Sequence, residues 1–117
     1  MIEYVHLVTQ IVATNNSWHA AEELFASNSS IIEAARNAKS RLQLRLLRSF
    51  SDKAYLEVDE TEGEHLYSIK LRLPIKVEIG TDCHTRTDAT HLPARIVENW
   101  LDKKIVSQQE LDKWFQR

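Results

Sequence analysis

Hydrophobic residues in the first third of the chain recur at helical spacing. Over residues 1–13 most large apolar side chains fall on one helical face, with Glu3, His6 and Gln10 on the other. A helix is therefore predicted, with a buried strand as the alternative because many of these residues are β-branched. The polar triplet at 15–17 predicts a break that caps a second helix over residues 18–27.

A third helix is predicted from Ser30 to about residue 49. Ser30 and Glu33 have capping-box spacing, and apolar residues then recur every three or four positions. The competing interpretation is a strand over 41–47, because Leu42, Leu44 and Leu46 alternate. The high helix propensity of leucine, arginine and glutamine favours the helix.

Beyond residue 52 the hydrophobic period changes to two. Residues 53–60 and 65–79 predict a β-hairpin with Gly63 in the turn, and the second strand alternates clearly from Ile69 to Ile79. Pro74 lacks an N–H donor, so this strand is expected at a sheet edge or to bend there into a second strand.

The remaining residues predict a polar loop followed by a helical pair. Residues 80–91 are predicted to form the loop, Pro93 opens a helix, and Ser107 with Glu110 repeats the capping-box spacing before a last helix. The predicted fold is one α+β domain over residues 1–117. Its small antiparallel sheet (hairpin 53–79) is flanked by N-terminal helices and a C-terminal helical pair.

Composition is typical of a soluble globular domain. Hydrophobic residues make up 43% and charged residues 27%, and the formal net charge is −2. These values argue against disorder and against a molecule that binds polyanions with its whole surface. Cys83 is the one cysteine, so an internal disulfide is excluded and a reducing compartment is expected. The N-terminus resembles neither a signal peptide nor a membrane span, so we expect a cytoplasmic protein without membrane attachment.

The segment "GTDCHTRTDATHLP" at 80–93 concentrates the reactive side chains. His84, Asp88 and His91 are the candidate ligand-binding residues, and two imidazoles with a carboxylate suit Zn²⁺ or Fe²⁺. The segment has no established metal-binding spacing, so the alternative interpretation is a polar loop without a binding site. We therefore expect no cofactor. A thiol site would pair Cys83 with His91, but we expect Cys83 to turn inward as packing.

Charge is segregated in the middle of the chain. Residues 36–53 carry six basic residues and one acid, whereas residues 57–64 carry five acids. Arg41, Arg45 and Arg48 share one helix face, which would suit a phosphate backbone but is more often a solvated face. Complementary segments of this kind favour self-association.

Large apolar residues at the C-terminus suggest an interface. The candidates, together with the three arginines, are Trp100, Trp114 and Phe115. We therefore expect a non-catalytic interaction or binding module, homodimeric, with a protein partner or small ligand. The alternatives are a metal-dependent or thiol enzyme that uses an 82–91 loop and a nucleic-acid binder that uses the arginine face.

Overall fold

The computed structural model describes residues 4–24, 30–59 and 65–115. Within them four helices accompany a three-stranded antiparallel sheet of order β1-β2-β3, which confirms the predicted α+β class. In chain order the elements are α1 (Tyr4–Leu24), α2 (Ser30–Ser49), β1 (Ala54–Asp59), β2 (Leu66–Ile79), β3 (Asp82–Pro93), α3 (Ala94–Asp102) and α4 (Gln108–Trp114).

The N-terminal region is one long helix rather than two. The predicted break at 15–17 is wrong, because α1 runs through these residues to Leu24. The hydroxyls of Thr14 and Ser17 donate to the carbonyls of Gln10 and Ala13, at 2.8 and 3.1 Å, so they bond back onto the helix instead of capping a new one. The strand alternative for residues 2–13 is also wrong over the described part, residues 4–13. The part of the predicted second helix at 25–27 lies outside the described residues.

The predicted third helix is confirmed as α2. Its buried positions recur at helical spacing, from Ile32 through Lys39 and Gln43 to Leu46. The strand alternative for 41–47 is therefore wrong. Helix α2 packs along α1, and both helices contribute to the hydrophobic core above the sheet.

The predicted hairpin is confirmed, and its second strand is central in the sheet rather than an edge strand. The edge position expected for Pro74 holds locally, because the pairing of β2 with β1 ends at Leu71. β1 pairs with β2 from Ala54↔Leu71 to Asp59↔Leu66, and the turn with Gly63 lies outside the described residues. β2 is the central strand, because β3 pairs along its other side. Pro74 is accommodated because the register jumps from Lys70↔Asp88 to Ile75↔Arg86, which leaves the proline where the ladder is interrupted.

The predicted loop at 80–91 is wrong, because residues 82–93 form strand β3. Gly80, with φ of +60°, and Thr81 make the short turn after Ile79↔Asp82. Threonine-rich sequence favours strands, and β3 is polar because the part from Asp82 to Thr85 is exposed. Polarity here marks an exposed edge strand, not an irregular connection.

The C-terminal helices pack on the same core. Pro93 precedes α3 as its N-cap, and Ser107 Oγ accepts from Glu110 N at 3.1 Å, which confirms the predicted cap of α4. Trp100 and Trp114 are 7% and 3% exposed, so both belong to the core. Within the described residues, no helix has the length and apolar character needed to cross a membrane.

Candidate functional site

The three candidate ligand residues of β3 do not converge. His84 lies opposite Val77, Asp88 Oδ1 accepts from Arg86 Nη2 at 2.8 Å, and His91 Nε2 lies 2.9 Å from Asp59 Oδ2. In the part of the chain that the structure describes, no group of three or more His, Cys, Asp or Glu residues could hold a metal ion. The metal interpretation therefore has no assembled site among these residues.

Cys83 is exposed, so the expected inward orientation is wrong. It pairs across the hairpin with Glu78, near the Gly80 turn, whereas His91 lies near the opposite end of β3. Eight residues of strand separate the two side chains by more than about 20 Å, which rules out a thiol–imidazole pair.

The three arginines that share one face of α2 differ in their contacts. Arg41 and Arg45 are exposed. Arg48 instead binds Glu110 through two hydrogen bonds of 3.0 Å and also donates to the carbonyl of Ile105. Arg48 therefore connects α2 to the C-terminal helices, and it is not free for a phosphate backbone.

The interface candidates of the C-terminus are engaged within the chain. Trp100 and Trp114 are buried in the core, and the half-buried Phe115 meets Tyr67 edge to face at 5.3 Å between ring centroids. None of the three aromatic rings stands out as an exposed anchor.

A cavity between α1, α2 and the end of β3 unites several unusual features. We call it the Trp18 pocket. Its volume is about 360 Å³, which lies in the range of small-molecule sites. The lining consists of Asn15, Trp18, His19 and Glu22 of α1, Arg36 and Lys39 of α2, Leu66 of β2, Thr90, His91 and Pro93 of β3, and Arg95 and Ile96 of α3.

Two cations of α2 cover the indole of Trp18. The guanidinium carbon of Arg36 lies 5.1 Å and Lys39 Nζ 4.8 Å from the ring centroid. Both distances suit cation–π attraction, which is stronger where water is excluded. Because Arg36 and Lys39 are one helical turn apart, they present two positive charges side by side at the pocket.

Lys39 is only 5% exposed, which is unusual for a lysine. Its Nζ donates to Asn15 Oδ1 at 3.1 Å, a neutral acceptor. Burial, and secondarily the charge of Arg36, lower the pKa of Lys39 to about 8, while Glu22 acts in the opposite direction. A lysine perturbed in this way inside a concave site is a recognised marker of function.

The β3 wall of the pocket is strained. Between Ser68↔His91 and Lys70↔Asp88, one residue of β2 faces Ala89 and Thr90, so β3 carries a β-bulge. Thr90 has φ of +67°, a conformation that costs a β-branched residue about 1–3 kcal/mol.

Gln43 of α2 holds this strained segment in place. Its fully buried amide donates to Ala89 O at 3.2 Å, to Thr90 Oγ1 at 2.9 Å and to His91 O at 3.0 Å. Strain of this kind persists only where the surroundings enforce it, and it is concentrated at binding and active sites. Gln43 thereby ties the pocket wall to the helix that carries Arg36 and Lys39.

Two histidine–carboxylate contacts lie around the Trp18 pocket. His91 pairs with Asp59, whose Oδ2 also accepts from Ser68 Oγ at 3.1 Å, and His19 Nδ1 lies 3.2 Å from Glu22 Oε1. Among the described residues of the lining, Glu22 is the one carboxylate, and it already has a partner. In this described lining the cations Arg36, Lys39 and Arg95 outnumber the acid, which favours an anion.

Two further concavities carry less chemistry. One of about 640 Å³ lies between α2, β2 and α4, but Arg48 and Glu110 in its wall bind each other. The other, of about 380 Å³, includes His84 and Asp82 at the exposed end of β3. Neither combines a buried charge with backbone strain.

The sequence pattern placed Trp18 within a predicted helix and Arg36 and Lys39 within the basic segment 36–53, with no functional role assigned to any of the three. The i, i+3 spacing of Arg36 and Lys39 indicated a shared helix face, but no local pattern indicated that Trp18 of α1 would contact that face.

A scan against protein-family models, a search of curated proteins and a search of solved structures each find no match for this chain.

Proposed function

We propose that the chain is a binding module that holds a small anionic ligand in the Trp18 pocket without catalysing a reaction. The observation that carries this proposal is the pair Arg36 and Lys39, whose charges converge at one wall and of which Lys39 is almost fully buried. A bound anion would compensate the cost of burying the lysine charge.

The ligand class follows from what the pocket offers. Arg36, Lys39 and Arg95 supply hydrogen-bond donors and positive charge, which suit a carboxylate or phosphate. Leu66, Pro93 and Ile96 supply apolar surface in the same cavity, which suits a hydrocarbon or aromatic body. An amphipathic organic anion satisfies both surfaces at once.

Strain in the wall supports a binding role. The bulge at Thr90 and its three hydrogen bonds to Gln43 fix the β3 side of the cavity before any ligand arrives. A preformed wall reduces the ordering entropy that binding would otherwise cost.

We also place the protein in a reducing compartment such as the cytoplasm, because the exposed thiol of Cys83 is open to oxidation elsewhere.

The test is a calorimetric titration of small anions, with 4-methylbenzoate, inorganic phosphate and citrate as probes. 4-Methylbenzoate should bind, because it has the apolar body that phosphate and citrate lack, and Arg36→Gln should weaken its binding about tenfold or more, because charge-assisted hydrogen bonds contribute about 1.5–3 kcal/mol. Arg45→Gln is the matched control, since Arg45 is exposed on the same helix and does not line the pocket. Equal affinities in the two variants, or no binding at millimolar concentration, would contradict the proposal.

A further inference from the structure

The amine of Lys39 has the surroundings of a nucleophile. Lys39 lines the Trp18 pocket, its Nζ lies 4.8 Å from the centroid of the indole that also lines it, and its hydrogen bond goes to the neutral amide oxygen of Asn15. The nearby carboxylate of Glu22 is paired with His19. Lys39 can therefore lose its proton without leaving a carboxylate unpaired, which an ion-paired lysine could not do.

Burial and a neighbouring cation are the two ways in which proteins activate lysine. Lys39 has both, because it is 5% exposed and Arg36 shares its position over Trp18. With the pKa of Lys39 at about 8, on the order of a tenth of the molecules carry the neutral amine at pH 7. In that fraction of the molecules the pocket carries an uncharged nitrogen beside the guanidinium groups of Arg36 and Arg95, which would hold an anion.

We infer that Lys39 Nζ forms a reversible imine with the aldehyde or keto carbon of an anionic ligand held by Arg36 and Arg95. This inference rests on the proposed function and specifies its ligand as a carbonyl compound that also carries a carboxylate or phosphate. The ligand class is defined by two groups, an anion for the arginines and a carbonyl carbon for the amine.

The chemistry needs no further reactant. The lone pair of Nζ forms a bond to the carbonyl carbon, the C–O π pair moves to oxygen, and that oxygen takes one proton while the nitrogen gives one up to water. The resulting carbinolamine loses its hydroxyl as water and the C=N bond forms. One amine and one carbonyl give one imine and one water, with no change of oxidation state, and hydrolysis reverses the step.

Reductive trapping tests the inference. The full chain is incubated at pH 7 with 4-formylbenzoate and cyanoborohydride, which converts an imine into a stable secondary amine, and the labelled site is mapped by peptide mass spectrometry. Lys39 should be labelled at least about tenfold faster than the exposed Lys76, because it has more neutral amine and a bound reagent. An excess of 4-methylbenzoate, which has the anion but no carbonyl, should protect Lys39.

Two variants complete the design. Lys39→Arg keeps the positive charge and removes the nucleophile, so rapid labelling should disappear, whereas Lys76→Arg should leave it unchanged. Uniform slow labelling of surface lysines and the N-terminus in the wild type, which needs no variant to fold, would overturn the inference. If 4-methylbenzoate binds but 4-formylbenzoate gives no adduct at Lys39, the imine is wrong and the anion pocket stands. If neither compound binds or labels the pocket, both proposals fail.

Discussion

Replacement of Lys39 by methionine is expected to stabilise the protein at neutral pH. The shift of the lysine pKa from 10.5 to about 8 corresponds to about 3 kcal/mol between the charged and neutral amine. Methionine keeps the length and apolar character of the side chain. It loses the bond to Asn15 and the contact with Trp18, together about 1–2 kcal/mol. The net gain in the free energy of unfolding at pH 7 should be about 1–2 kcal/mol.

The pH dependence of that gain gives the sharper test. Between pH 8 and 10.5 the unfolded chain retains a proton that folded Lys39 has released, so the wild type becomes relatively more stable as pH rises. The advantage of Lys39→Met should therefore shrink through this window, as followed by urea unfolding of both proteins at pH 7 and pH 10. Lys76→Met, at an exposed site, should change stability by less than about 0.5 kcal/mol. A Lys39→Met variant that is destabilised equally at both pH values would contradict a Lys39 pKa that burial lowers in the folded protein.

Three further predictions concern the wall, the helix contacts and the assembly. Gln43→Leu should lower the free energy of unfolding by about 2–3 kcal/mol and abolish anion binding, because three acceptors around Thr90 lose their donor. A change below about 0.5 kcal/mol in urea unfolding would contradict this prediction. Arg48→Ala should lower the free energy of unfolding by about 1 kcal/mol, whereas the double variant Arg41→Ala/Arg45→Ala should leave it nearly unchanged, as measured by urea unfolding. A binding titration should show negligible affinity for nucleic acid both in the wild type and in that double variant. The homodimer remains a prediction from the charge pattern, and light scattering that gives a monomer from micromolar to millimolar concentration would end it.

Elements with regular hydrophobic periods were predictable from the sequence. Helix α2 and the β1–β2 hairpin were found because their apolar residues recur at the spacing of a helix and of a strand. A break within α1 was wrongly predicted because Asn15, Asn16 and Ser17 have weak helix propensity, whereas in the structure Asn15 stays helical and accepts a hydrogen bond from Lys39 of the neighbouring helix. Tertiary contacts overrode local preference there.

β3 and the pocket could not be read from local pattern. An exposed edge strand is polar, so residues 82–85 resembled a loop, and the bulge at Thr90 buries Ala89 and Thr90 in succession, which breaks the alternation of a strand. The Trp18 pocket assembles side chains from five elements, and its central contact joins positions 18 and 39. No spacing rule within one segment predicts such a contact.

The most direct test of the anion pocket uses the indole resonances of the three tryptophans. In a ¹H–¹⁵N spectrum, assigned with single Trp→Phe variants, 4-methylbenzoate is titrated into the full chain. The Trp18 signal should shift and saturate, the signals of the core residues Trp100 and Trp114 should stay in place, and Arg36→Gln should remove the shift. A Trp18 signal that does not move, or that moves equally in Arg36→Gln, would contradict the anion pocket.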